Sequence, residues 1–184
     1  MKTITRMFTL AVLAILMACE GPVGPPGEDG LDGDSLIGSV FEIEGDFTAS
    51  NDYSLYFSFP NSIKVFDSDV VLVYILWEQV QSNSGTNLDV WRLLPQTVIL
   101  KEGILQYNYD FTKADVQIFL EGTIDFRTLL PSEALDQVFR IVVLPASFAN
   151  SKSVDILDMN SLMKSIGSNP YKIEFFNLVH GQKP

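Results

Sequence analysis

Val70-Val71-Leu72-Val73-Tyr74-Ile75-Leu76-Trp77 is an unbroken apolar run, with Asp69 before it and Glu78 after it. A run of this length between polar residues fits a strand buried on both faces. A second such run, Val138–Leu144, is interrupted only by Arg140 and closed by Pro145. Burying the apolar faces of both runs is expected to form one core.

Outward from these runs the pattern changes to strict alternation. Phe41, Ile43 and Phe47 alternate with Glu42, Glu44 and Asp46. Tyr53, Leu55, Phe57 and Phe59 alternate with Ser54, Tyr56 and Ser58, and Pro60-Asn61 ends that stretch. Leu105, Tyr107, Tyr109 and Phe111, then Val116, Ile118 and Leu120, repeat the same period. A period of two marks strands with one face in the core and one in water. Ser82–Asn87 reads as a loop, Lys101-Glu102-Gly103 as a tight turn, and Pro95 splits Val90–Leu94 from Thr97–Leu100. Tyr171–Val179 reads as a closing strand.

Helix signals are sparse. Pro131–Leu135 supports one turn, and Ser153–Ile166 spaces Val154, Leu157, Leu162 and Ile166 as an amphipathic helix before Gly167. Eight or nine short strands with one late helix predict an all-β fold, an antiparallel β-sandwich of immunoglobulin-like or similar kind, over 36–184. With a single cysteine, this domain is expected to fold on its core alone, without disulfide, metal or cofactor.

The first 35 residues are of a different kind. Lys2 and Arg6 precede Phe8–Met17, an apolar run of about ten residues, which suits a signal peptide and is half the length of a spanning helix. Leu16-Met17-Ala18-Cys19 resembles a lipobox, with residues 1–18 removed and Cys19 lipidated. The thiolate accepts a diacylglycerol, and the new α-amino group can take a further acyl chain. Two or more chains anchor stably where one does not.

After Glu20, glycine recurs every third residue at 21, 24, 27, 30 and 33, with Pro22, Pro25 and Pro26 between. This is the collagen phase. Its later triplets carry Glu28, Asp29, Asp32 and Asp34 without a compensating cation. Three strands would stack these acids on their own copies, so residues 19–35 are expected to be an extended spacer on a monomer. A trimer through the tract remains open. In polyproline II, residues 20–35 would reach roughly 50 Å. Asp34-Ser35-Leu36 resembles the Asp-Ser/Thr-aliphatic acceptor for O-glycosylation in the Bacteroidetes, which makes Ser35 a candidate site.

The net charge is −11, and removing residues 1–18 takes away two cations and no acid, leaving −13. So acidic a chain repels phosphate backbones, and nucleic acid is excluded as a partner.

The lipobox, the Gly-X-Y tract and the segments Val90–Pro95, Asn108–Phe111 and Gln137–Pro145 together resemble the small collagen-tract lipoproteins of the Bacteroidetes. The resemblance implies an outer-membrane, lipid-anchored protein and brings no established activity with it. Glu20 stands alone where surface-export signals of that phylum show a denser acidic cluster, so a periplasmic and a surface-facing leaflet both stand.

Chemistry is scarce. His180 is the chain's one histidine and Cys19 its one thiol, which leaves no Ser-His-Asp or Cys-His set and no His-rich zinc site. Glu42, Glu44 and Asp46 fall on a solvent-facing alternation. Arg92 and Arg140, in apolar strands, are expected to reach the sandwich edge and pair with an acid. Tyr107 and Tyr109 share a face and are the candidates for stacking on sugar rings, with core packing as the competing reading. The leading expectation is a non-catalytic envelope lipoprotein acting through protein contacts. A glycan-binding module is the alternative, and a carboxylate-based glycoside hydrolase stands behind both.

Overall fold

The two apolar runs pair with each other. In the computed structural model, which describes residues 38–149, 155–166 and 173–178, β3 (Val70–Gln81) lies antiparallel to β8 (Gln137–Leu144). Val70 stands opposite Leu144, and Ile75 opposite Phe139. Around them run β1 (Ser39–Gly45), β2 (Ser54–Ser58), β4 (Asn87–Leu93), β5 (Gln96–Leu100), β6 (Gly103–Phe111), β7 (Asp115–Gly122) and β9 (Glu174–Asn177). Three short α-helices, α1 (Pro131–Ala134), α2 (Ala146–Ala149) and α3 (Met159–Ser165), and two 3-10 turns, Ala49–Asn51 and Phe126–Thr128, complete the described elements.

The strands form two sheets in a sandwich. Sheet A has the order β4-β3-β8-β1-β9 and sheet B the order β2-β7-β6-β5. Every pairing is antiparallel except β1 with β9, which is parallel. At Leu94-Pro95 the chain leaves sheet A and enters sheet B. Leu94 is buried in the core, and proline cannot donate to a ladder, so the strand ends there.

The interior explains which strands read as continuously apolar. Phe41, Ile43, Val71, Val73, Ile75, Phe139, Ile141 and Val143 of sheet A face Leu55, Phe57, Leu105, Val116 and Ile118 of sheet B. The opposite face of sheet A is covered too. Val40, Leu72, Tyr74, Val142 and Leu144 pack under Met159, Leu162 and Ile166 of the α3 segment. Strands β3 and β8 are therefore apolar at successive residues because both of their faces are buried. No described helix belongs to a core on the outer face of sheet B, and its strands keep strict alternation.

The structure revises several sequence expectations. The hairpin strand β3 continues past Glu78 to Gln81, and β4 begins at Asn87, the last residue of the expected loop, which leaves the loop as 82–86. Gly85 at its tip takes φ 80°, a conformation open to glycine. The late helix starts at Met159, because the Asp158 side chain accepts the Asn160 N–H at 3.0 Å and caps it there. Leu157, counted on its apolar face, is exposed. The tract 1–35 that holds the leader, Cys19 and Ser35, and also His180, lies outside the described residues.

Arg140 pairs with an acid, but not at an edge. Its strand is the central one of sheet A. The register sets it opposite Glu42, and Nη2 donates to Glu42 Oε2 at 2.9 Å with the two side chains only 14% and 23% exposed. Glu42 is thus half-buried on the outer face of sheet A and not solvated. Arg140→Leu should cost about 1–3 kcal/mol, because it strands that carboxylate. The double change Glu42→Leu/Arg140→Leu should return the urea midpoint to near its original value. A double variant no more stable than the single would refute the pairing.

Candidate functional site: the tryptophan and arginine pairs of the hairpin

The bulge in β3 determines where the chain's two tryptophans point. The register with β4 shifts between Leu76 and Glu78, so Trp77 is the extra residue. Trp77 continues the inner face of sheet A and packs on the main core. Arg92, opposite Ile75 on the same face, sets its guanidinium 4.0 Å from the Trp77 ring centroid. Trp91, one residue back along β4, points to the outer face and packs against the second core. The Arg140 guanidinium lies 4.0 Å from the Trp91 ring centroid, between that ring and Glu42.

Each tryptophan thus carries one arginine, on opposite faces of the same hairpin. Such contacts contribute about 0.5–2 kcal/mol, more as water is excluded. Arg140 is tied to Glu42, whereas Arg92 is exposed and has no ion pair among the described residues. Beyond the bulge, Glu78 pairs with Val90 and Val80 with Leu88, extending the inner face of sheet A. Val80 is 40% and Leu88 51% exposed there. On the other face, Gln79 Nε2 donates to Asp89 Oδ1 at 2.8 Å. The site is a two-stranded arm with the exposed apolar pair Val80 and Leu88 below its polar tip and tryptophan-arginine pairs at its base.

No family model, curated protein or solved structure matches this chain.

The tyrosines singled out in the sequence lie elsewhere, and they point inward. Tyr107 is 4% exposed, its ring packs on Phe47 at 6.1 Å, and its hydroxyl donates to Glu133 O at 2.6 Å. Tyr109 is half-buried, stacks on Phe111 at 6.4 Å, and donates to Val71 O at 3.2 Å. Both serve the core, because β6 turns this face of its alternation toward sheet A. As a platform for sugar rings Tyr107 has no free face.

Burial pushes the Tyr107 hydroxyl up to about 12, with Glu133 adding to the shift, and raises Tyr109 and Tyr74 as well. A raised acid stabilises the fold below its unfolded value near 10, and that contribution is lost as pH rises from about 10 to about 12. Absorbance titration at 295 nm should show Tyr74, Tyr107 and Tyr109 withheld until the protein unfolds in alkali. All six tyrosines ionising together near pH 10 in folded protein would contradict this arrangement.

Among the described residues no three His, Cys, Asp or Glu side chains converge as a metal site. Asp125 is held down to about 2 by hydrogen bonds from Arg127 two residues on, but the pair is exposed and local and caps the turn Phe126–Thr128. Sequence reading placed Arg92 and Arg140 as edge residues and passed over Trp77 and Trp91. The adjacency Trp91-Arg92 in a chain with two tryptophans was the available signal.

Proposed function

We propose that the chain is a non-catalytic, lipid-anchored protein of the outer membrane that acts through protein contacts. Cys19 carries the lipid, residues 19–35 form the spacer, and the sandwich is presented at its end. The observation that carries the contact reading is the hairpin arm. Trp and Arg are the residue types enriched where proteins bind one another, and apolar Val80 and Leu88 flank them in water. The anchor reading rests on Leu16-Met17-Ala18-Cys19 and on the absence of any other thiol.

A glycan-binding module needs outward aromatic faces, and the inward-donating hydroxyls of Tyr107 and Tyr109 weigh against it. Metabolic labelling tests the anchor directly. Cells fed labelled palmitate should yield a labelled protein, with the label stable to neutral hydroxylamine at the amide-linked chain. An unlabelled protein would overturn the lipid-anchored reading.

A further inference from the structure

The contact reading of the hairpin leaves open what it contacts, and the backbone of β4 narrows the choice. Sheet edges are protected in most proteins by shortness, proline or lysine, because an unpaired strand recruits another. Three of the four edges here are short: β9 has four residues, and β2 and β5 have five each. Pro60 follows β2 at an interval of one residue, and Pro95 immediately precedes β5. Strand β4 has seven residues, with neither proline nor lysine among them.

Its hydrogen-bonding groups are aligned for a partner. Leu94 donates its N–H to Val73 O at 2.9 Å, so alternate residues Arg92, Val90 and Leu88 turn their backbone groups toward β3. Leu93, Trp91, Asp89 and Asn87 turn theirs outward. Gln96 Nε2 donates to Leu93 O at 2.7 Å, which engages one outward carbonyl at the core end. Trp91 and Asp89 have no such cover in the described structure.

We propose that β4 is the contact by which two copies of this chain pair, antiparallel, about a two-fold axis at Val90. Asn87–Leu93 is centred on Val90, so full overlap sets Val90 opposite Val90 of the second copy. Asp89 then exchanges both backbone hydrogen bonds with Trp91 of the second copy, and Trp91 with its Asp89. Those are the residues whose groups point outward, so the register satisfies the edge without moving β3. Leu88 meets Arg92 of the second copy, which covers an apolar side chain otherwise 51% exposed.

Charge favours a second copy over an unlike acidic strand. The strand carries one acid, Asp89, and one cation, Arg92, so it is locally neutral in a chain of net charge −11. An isologous contact places each patch on its own copy, and a neutral, self-complementary strand meets that condition. The two-fold contact is also distinct from assembly through the Gly-X-Y tract, which would be three-fold.

The inference rests on the contact reading and not on the anchor. Val90→Cys in the full chain, expressed in its own membranes and mildly oxidised, should give a reducible band at twice the chain mass. Val90 pairs are non-hydrogen-bonded in this register, the geometry that brings Cβ atoms closest. Ile99→Cys, on the edge of the other sheet and 85% exposed, should stay at single mass, as should the unaltered chain. Asp89→Pro removes an outward N–H without touching the ladder to β3, and should abolish most of the Val90→Cys band.

A monomeric Val90→Cys band, equal cross-linking at Ile99→Cys, a three-chain band, or cross-linking to a different protein would each overturn the pairing. Since Val90→Cys alone reads the contact, a poorly folding Asp89→Pro variant does not rescue it. A palmitate label that persists without the double-mass band sinks the pairing and spares the anchor. A lost label with the band retained does the reverse.

Discussion

Replacing Phe139 by Ala is expected to destabilise the domain by about 3–5 kcal/mol, the usual cost of emptying a buried phenylalanine site. Phe139 is fully buried in the central strand of sheet A, between register partners Ile43 and Ile75. Its ring meets Phe47 edge-on, with centroids 5.9 Å apart at 87°, and Phe47 is itself 2% exposed. Strands on both sides hold the backbone, so the site can collapse little and most of the cavity remains. Domains of this size are stable by roughly 5–15 kcal/mol, so the loss is a large fraction of the total. Urea unfolding followed by tryptophan fluorescence should show the midpoint falling by more than about 1 M. Ile99→Ala, on the exposed edge strand, should leave the midpoint unchanged. A Phe139→Ala loss below about 1 kcal/mol would mean that the core is not packed as described.

The same residues show which parts of the fold were legible. Alternation in 41–47, 53–59, 105–111 and 116–120 reports a local fact, one face wet and one dry, and each stretch contains a strand, with Phe47, Tyr53 and Phe59 just outside theirs. The continuous runs at Val70 and Val138 report two dry faces, and α3 supplies the second cover. Alternation cannot say which sheet a strand joins, because sheet membership is decided by pairing across long separations. Glu42 and Arg140 are 98 residues apart in sequence and adjacent in register. Read locally, Glu42 looked solvated and Arg140 looked like an edge residue.

The closing strand was expected, but the parallel direction of β9 was hidden for the same reason. Its alternation predicts a strand but carries no direction, and Phe176 reaches the core beside Phe41 and Phe57 at 6.3 and 5.1 Å. The outer half of the β3–β4 hairpin was hidden by its own exposure. Glu78–Gln81 and Asn87–Asp89 have no buried face to enforce a period, so no strand was read there, although backbone pairing carries the hairpin through them. Tyr107 shows the converse limit. An aromatic on a strand face is equally suited to stacking on a ligand or on Phe47, and only the opposing sheet decides between them.

The anchor is a chemical prediction, and Cys19→Ala measures it. Burying an acyl chain contributes about 0.8 kcal/mol per methylene, yet a single myristoyl chain gives only marginal, reversible binding. A diacylglycerol with a further amide-linked chain lies far beyond that threshold. No described helix is long and apolar enough to cross a membrane, so the folded domain offers no helical substitute. The variant would keep its leader uncleaved, but Phe8–Met17 is about ten apolar residues where a span needs about 20. The unaltered protein should therefore resist salt and carbonate and leave membranes only in detergent. Cys19→Ala should move mostly to the soluble fraction after the same washes. Its acidic charge speeds that release, since anionic headgroups repel a net charge of −11. If the variant stays as firmly in the detergent-soluble fraction as the original, Cys19 is not the anchor.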